Sequence, residues 1–281
     1  SIASMTTTAA VPVFDNGTGS YIRISGTQHM EAVSSMPDWL AQMLHNLILT
    51  GQCTDITLEL NDSLMTKVLD NGTVSTSPDF VLTGTCTTSF QTSGANRSNN
   101  IVVGASRLNN LIVMPGQTVS VSDTILPRTR ANGYKEAGVY VNGAHTSGLG
   151  GGVCQISSTV YNAVKNAGLT VVQRNPHSMP VSYLPKGLDA AIAAGSKDLK
   201  FRNDYTTPVV LYTDTSNKHL TVNVLVWNQE LAGRSFKLWA KQTGALSADT
   251  YFTTYQNGKE VSTQFVGTSR YNPYREAVSN D

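Results

Sequence analysis

The sequence predicts an α+β protein built mainly on antiparallel sheet, with a glycine-rich loop leading into a helix that carries a cysteine at its N-terminus. Three observations lead there. Alternating apolar and polar runs bounded by turn residues recur, as in PVVLYTDT (208–215) and LTVNVLVW (220–227). Helical periodicity is confined to a few windows, the clearest placing Ile156, Val160, Ala163, Val164 and Ala167 on one stripe with Gly168 as a stop signal. An Asn257-Gly258 pair between two alternating runs is a hairpin signal.

In chain order, residues 11–28 read as two short strands around the Asp15-Asn16-Gly17 turn. A helix follows over 35–50: Ser35 caps it, Pro37 suits its first turn, Trp39, Leu40, Met43, Leu44, Leu47 and Ile48 share a face, and Gly51 ends it. DITLEL (55–60) alternates as a strand, and SLMTKVL (63–69) suits a short second helix. Together these make a small α+β unit, 1–78, bounded by the turn-rich NGTVSTSPD (71–79). The central unit, 79–230, opens with the strand-like FVLTGTCTTSF (80–90). Next comes a helix that aligns Asn100, Val103, Ser106, Leu108 and Leu111 and ends before Pro115. Turns at Pro115-Gly116 and Asn132-Gly133 punctuate short strands before the glycine loop and the cysteine helix. LTVVQR (169–174) and LKFRND (199–204) are further strands, and 231–281 is a β-rich extension.

At 281 residues and 40% hydrophobic content the chain buries a substantial core. A net charge of +1 with 14% charged residues excludes both the basic excess of a nucleic-acid binder and the acidic excess of a disordered tail. No apolar run approaches the roughly 20 residues of a membrane span, and SIASMTTTAAVPV at the start has neither the charged nor the apolar region of a signal peptide. With Ser1 in first place, the expectation is that any native signal peptide or membrane anchor has been removed.

The three cysteines, Cys53, Cys86 and Cys154, form no C-x-x-C pair. Cys53 and Cys86 are either bridged, as in an exported protein, or small buried thiols in a reduced one, and both readings stand. Cys154 is different. It sits in the first turn of its helix, after Gly148, Gly150, Gly151 and Gly152, where unpaired N–H groups and the positive end of the helix dipole favour a thiolate. The glycines leave room for a substrate backbone, and the N–H groups of Gly150, Gly151 and Gly152, with Gln155, are oxyanion candidates. A plainer reading competes: the glycines make a tight turn and the cysteine is packing. His177 in RNPHSMPVSY favours the first, because a helix, a turn and a strand can return an imidazole to the sulfur.

The run from Tyr134 to Asp204, with GLGGGVCQ, STVYN, NPHSMPVSY, GLD and DLKFRND, resembles the VanW domain family. The resemblance extends from about Phe80 to about Trp227 and covers Gly148, Tyr161, Asn162, Pro176, Asp198, Lys200, Phe201 and Asn203, with Asn96, Arg97 and Asn100 upstream. Some members of that family are L,D-transpeptidases. The resemblance therefore implies a cysteine enzyme of the cell wall or the outer face of the cytoplasmic membrane, acting on peptidoglycan stem peptides. It implies no cofactor and no metal. Residues 1 to about 75 would be a wall-binding region and 231–281 a C-terminal extension.

In this reading Cys154 is the nucleophile, His177 the base and Asp189 the acid that orients it, with a solvated turn as the plainer account of Asp189. Ser178, Tyr183, Arg174 and Arg128 are the expected substrate-binding residues. Five Lys or Arg against two Asp or Glu from Arg174 to Arg202 suit a substrate bearing carboxylates, or are simply a solvated face. Other chemistries stay open: zinc held by Cys154, His145 and His177, although no short-spaced motif supports it; hydrolysis by an L,D-carboxypeptidase or papain-like endopeptidase; and a wall-binding module without catalysis.

Overall fold

The computed structural model describes residues 5–15, 20–28, 58–59, 80–141 and 144–273. The helices expected over 35–50 and 63–69 lie outside the described residues, as does Cys53. Strands β1 (Met5–Asp15), β2 (Ser20–Gln28) and β3 (Leu58–Glu59) form a three-stranded antiparallel sheet. The protein is α+β, mostly antiparallel sheet with few helices, and every paired strand among the described residues is antiparallel.

The central sheet has the order β4-β12-β11-β5, formed by β4 (Phe80–Ser89), β12 (His219–Trp227), β11 (Val209–Asp214) and β5 (Leu111–Val113). β12 is central and its Leu220, Val222 and Val224 are wholly buried, the period-2 signature of a strand with one face on the core. Helix α1 (Ala95–Ser106) is shorter than the sequence implies. Its stripe does not continue to Leu111. Asn110 takes φ 56°, a left-handed conformation that Asn tolerates, and Leu111–Val113 pairs instead with Val209–Leu211. Strand pairing overrides the helical period there.

The remaining elements surround one helix. Two short strands, β6 (Thr118–Ser120) and β9 (Thr170–Gln173), flank β10 (Lys200–Arg202); α2 (Val121–Thr124) follows β6; and β7 (Glu136–Val141) pairs with β8 (Ala144–Leu149). Helix α3 (Val153–Asn166) buries Ile156, Val160, Ala163 and Val164 completely against the central sheet. Gly84 of β4 permits this approach, since a Cβ there would stand 2.1 Å from the Ala163 carbonyl oxygen. After α4 (Asn228–Leu231), strands β13 (Arg234–Gly244), β14 (Ser247–Gln256) and β15 (Lys259–Arg270) make a sheet whose last hairpin turns at Asn257-Gly258. Leu238 of β13 shares the hydrophobic core with Val160 and Val224, and Phe236, Ala240 and Phe252 pack against it. One face of β13 and β14 therefore packs onto the central core. Among the described residues, no helix is long and apolar enough to cross a membrane.

Candidate active site

Cys154 lies in the first turn of α3, two residues after the N-cap Gly152. No side chain caps this end, so the backbone N–H groups and the helix dipole act on whatever sits there. Among the described residues, no acceptor takes the backbone N–H of Gly152 or of Cys154 itself. The sulfur is half-buried, and its S–H donates to the Ile192 carbonyl at 3.3 Å.

The glycines ahead of it answer to the protein's own packing. Gly150 (φ +81°) would drive a Cβ to 2.8 Å from Cδ of Arg128, and Gly152 (φ +111°) to 3.0 Å from Cγ of Arg97. Gly151 lies against the backbone of β7, with 2.6 Å between a Cβ there and the Gly138 oxygen. Asn100, wholly buried on α1, donates to the carbonyls of Gly151 and Lys135 and accepts from the Lys135 N–H. The space these glycines leave is thus occupied by Arg128, Arg97 and β7.

A ladder along α3 holds the opposite wall. Asn162 donates to the Leu188 carbonyl, Ser157 and Ser158 to that of Ala190, and Cys154 to that of Ile192, while the Ala190 N–H returns to Ser158. Residues 154, 158 and 162 share one helical face, so segment 188–192 runs extended beside it. Asp189 is thereby fixed between two anchored neighbours. Its side chain is wholly buried and accepts four hydrogen bonds: from the His177 N–H (2.7 Å), His177 Nδ1 (2.7 Å), the Tyr271 hydroxyl (2.5 Å) and Arg174 Nη2 (3.3 Å).

Burial alone pushes the Asp189 carboxyl up, but these donors outweigh it and hold the group at about 2. For His177 burial disfavours the cation, yet its bonds to Asp189 and Cys154 raise the ring to about 9. Desolvation likewise raises the Cys154 thiol, and is overcome chiefly by the hydrogen bond and charge of His177, with the charge of Arg128, so that the thiol titrates below its ordinary value. With Nδ1 held by the carboxylate, Nε2 is the ring nitrogen left for sulfur. The arrangement favours a thiolate beside an imidazolium whose partner is a buried carboxylate.

The other residues singled out from sequence take several places. Gln155 is buried, with its amide hydrogens on Thr88 Oγ1 and the Ser89 carbonyl and its oxygen on Arg97, so its side chain is committed to packing and does not serve as an oxyanion donor. Arg174 also turns inward. It bonds the Asp189 and Gly187 carbonyls, Ser269 and the Asp189 carboxylate, and lies over the Tyr161 ring, so it braces the acid and does not reach for substrate. Tyr183 reaches Ser158 Oγ at 3.4 Å, with its hydroxyl pushed far up by burial and by nearby Cys154. Arg128 is half-buried beside Gly150, and Ser178 is exposed. Among the described residues no group of three or more His, Cys, Asp or Glu side chains could hold a metal; the His145 side chain lies outside them. Cys86 is a free thiol, pushed up to about 12 by burial.

Sequence reasoning gave no role to Ser157, Ser158, Asn162 or Tyr271, although the resemblance covers Asn162. The first three carry a readable signal, polar residues following Cys154 on one face of an apolar helix.

Residues 96–225 match the family model described as VanW like protein. A stretch of 128 residues, 46% of this chain, is 42% identical to the uncharacterized protein YoaR of Bacillus subtilis. Another, of 114 residues and 39% of this chain, is 35% identical to the vancomycin B-type resistance protein VanW of Enterococcus faecalis. The chain spans 42% of the length of each of these curated relatives. No solved structure matches it.

Proposed function

We propose, from the premise that residues 96–225 are a VanW-like segment, that this protein is a cysteine L,D-transpeptidase that forms 3-3 cross-links in peptidoglycan outside the cytoplasmic membrane. The observation that carries the catalytic half of this reading is the His177–Asp189 hydrogen bond at 2.7 Å, with His177 shifting the Cys154 thiol down and its own ring shifted up. The substrate half is supported by the relationship to a protein named for vancomycin resistance.

The reaction runs in two acyl transfers. The Cys154 thiolate attacks the carbonyl of the third residue of a tetrapeptide stem, and the carbonyl π pair moves to oxygen. The N–H groups of Cys154 and Gly152 are the donors at hand for that oxyanion. When the tetrahedral centre collapses, the bond to D-Ala breaks and the leaving nitrogen takes the His177 proton. A thioester and a neutral imidazole remain. The side-chain amine of a second stem then attacks the thioester, gives its proton to His177 and expels the thiolate, so the site returns to its starting charge. Arg128 adds positive charge near the sulfur throughout.

Incubation with a disaccharide-tetrapeptide, followed by mass analysis, tests the reading. Dimers joined between two third-position residues, with free D-Ala, are expected. Tripeptide alone points to a carboxypeptidase, and cleavage between the second and third stem residues to an endopeptidase. No product, together with a Cys154 inert to alkylation, leaves a wall-binding module.

A further inference from the structure

Tyr271 lies beyond the matched segment 96–225, after β15, yet its side chain reaches the buried carboxylate. It is 6% exposed. Its hydroxyl donates to Asp189 Oδ1 at 2.5 Å and accepts the Gly187 N–H at 2.7 Å. Oδ2 of the same carboxylate takes both His177 donors. The two oxygens therefore have separate duties: Oδ2 holds the histidine, and Oδ1 is gripped from the C-terminal side.

We propose that Tyr271 is a positioning residue of the Cys154 site, fixing the rotation of the Asp189 carboxylate so that Oδ2 faces His177. This rests on the reading of Cys154 and His177 as the reactive pair. Arg174 supplies the second grip on Oδ1, but at 3.3 Å and from a guanidinium also bonded to two carbonyls and Ser269. The Tyr271 bond is the shorter and the better able to fix a torsion. The grip is itself anchored, because the Tyr271 N–H donates to the Leu246 carbonyl at 2.8 Å and Asn272 N–H to that of Ser178 at 2.7 Å. The C-terminal sheet is then a part of the catalytic unit, and the matched segment is incomplete without it.

The test uses the full chain and iodoacetamide, with no peptidoglycan substrate. The rate of Cys154 carboxamidomethylation is followed from pH 4 to 10 for the native protein, Tyr271→Phe and Thr250→Val. Thr250 joins the same sheet to the Gly187 carbonyl, at 2.9 Å, without touching Asp189. With the carboxylate free to twist, the imidazolium loses its partner and the thiolate its cation. Tyr271→Phe should therefore move the acid limb of the profile upward and slow labelling near pH 6 by roughly tenfold, the scale of one hydrogen bond to a charged group. Thr250→Val should leave the profile in place, even where it lowers the melting temperature. An unchanged profile in Tyr271→Phe, or an equal shift in both variants, overturns the positioning role. A native Cys154 that labels like an ordinary thiol overturns the reactive pair itself, and the inference with it.

Discussion

Gly151 rests against Gly138 so closely that a Cβ on the first would stand 2.6 Å from the carbonyl oxygen of the second, with the Ala137 carbonyl at 2.8 Å. The obstruction is backbone on both counts, so no side chain can swing aside. Gly151→Ala should displace the loop that starts α3, lowering stability by roughly 1–3 kcal/mol as overpacking does and abolishing rapid labelling of Cys154. Gly94→Ala is the control, since nothing lies within 4 Å of a Cβ there. Chemical denaturation and thiol labelling of the two variants check this; equal behaviour counts against the packing account.

The two described thiols should differ sharply in reactivity. Burial pushes Cys86 up to about 12, whereas His177 brings Cys154 below its ordinary value. At pH 6.5, brief treatment with iodoacetamide should modify Cys154 and spare Cys86, read by peptide mass mapping. Turnover should be bell-shaped in pH. It rises as the Cys154 thiolate forms and falls through about 9, where His177 loses the proton needed by the leaving amine.

Asp189 is depressed to about 2 and His177 raised to about 9, from ordinary values of 3.8 and 6.5. The stability supplied by the carboxylate is present above about 4 and lost as pH falls toward 2. That supplied by the imidazolium is complete below 6.5 and lost as pH rises through about 9. Asp189→Asn faces an amide toward donors and strands the histidine. It should cost roughly 3 kcal/mol near pH 6, the scale of a broken buried ion pair, and flatten both limbs of stability against pH. Urea midpoints measured from pH 3 to 10 provide the check.

Cys154→Ala should remove turnover while leaving the melting temperature within a few degrees of native, because the residue is only half-buried at the start of a helix and its bond to the Ile192 carbonyl is a weak one. His177→Gln should lose activity by at least about a hundredfold, the usual scale for a missing general base. His219→Gln, at a half-buried ring whose Nδ1 pairs with the Asn217 carbonyl, should be near native. Retained cross-linking in Cys154→Ala would sink the nucleophile assignment.

Residue chemistry singles out Cys154 and His177, and the resemblance adds Asp189; in the structure His177 Nδ1 and the Asp189 carboxylate are 2.7 Å apart, and His177 lowers the Cys154 thiol. Period-2 runs and the Asn257-Gly258 turn were legible because strand alternation and two-residue hairpins are local properties. Leu111 was not, since a helical stripe and a short strand look alike until a partner strand decides between them. Arg174 illustrates another limit. A count of charges says nothing about whether a guanidinium faces water or a buried acid, and this one faces the acid. The glycine loop was legible as a loop, but its glycines answer to Arg128, Arg97 and β7, neighbours that spacing does not display.

Asp189 and Tyr271 are 82 residues apart in the chain, and β13, β14 and β15 lie between them. Synthesis proceeds from the N-terminus at about 5–20 residues per second, so Cys154 emerges seconds before the hydroxyl that completes the donor set of Asp189. On the proposed role of Tyr271, the reactivity of Cys154 should rise late in folding, and a chain whose C-terminal hairpin has not yet docked should label more slowly than the finished molecule.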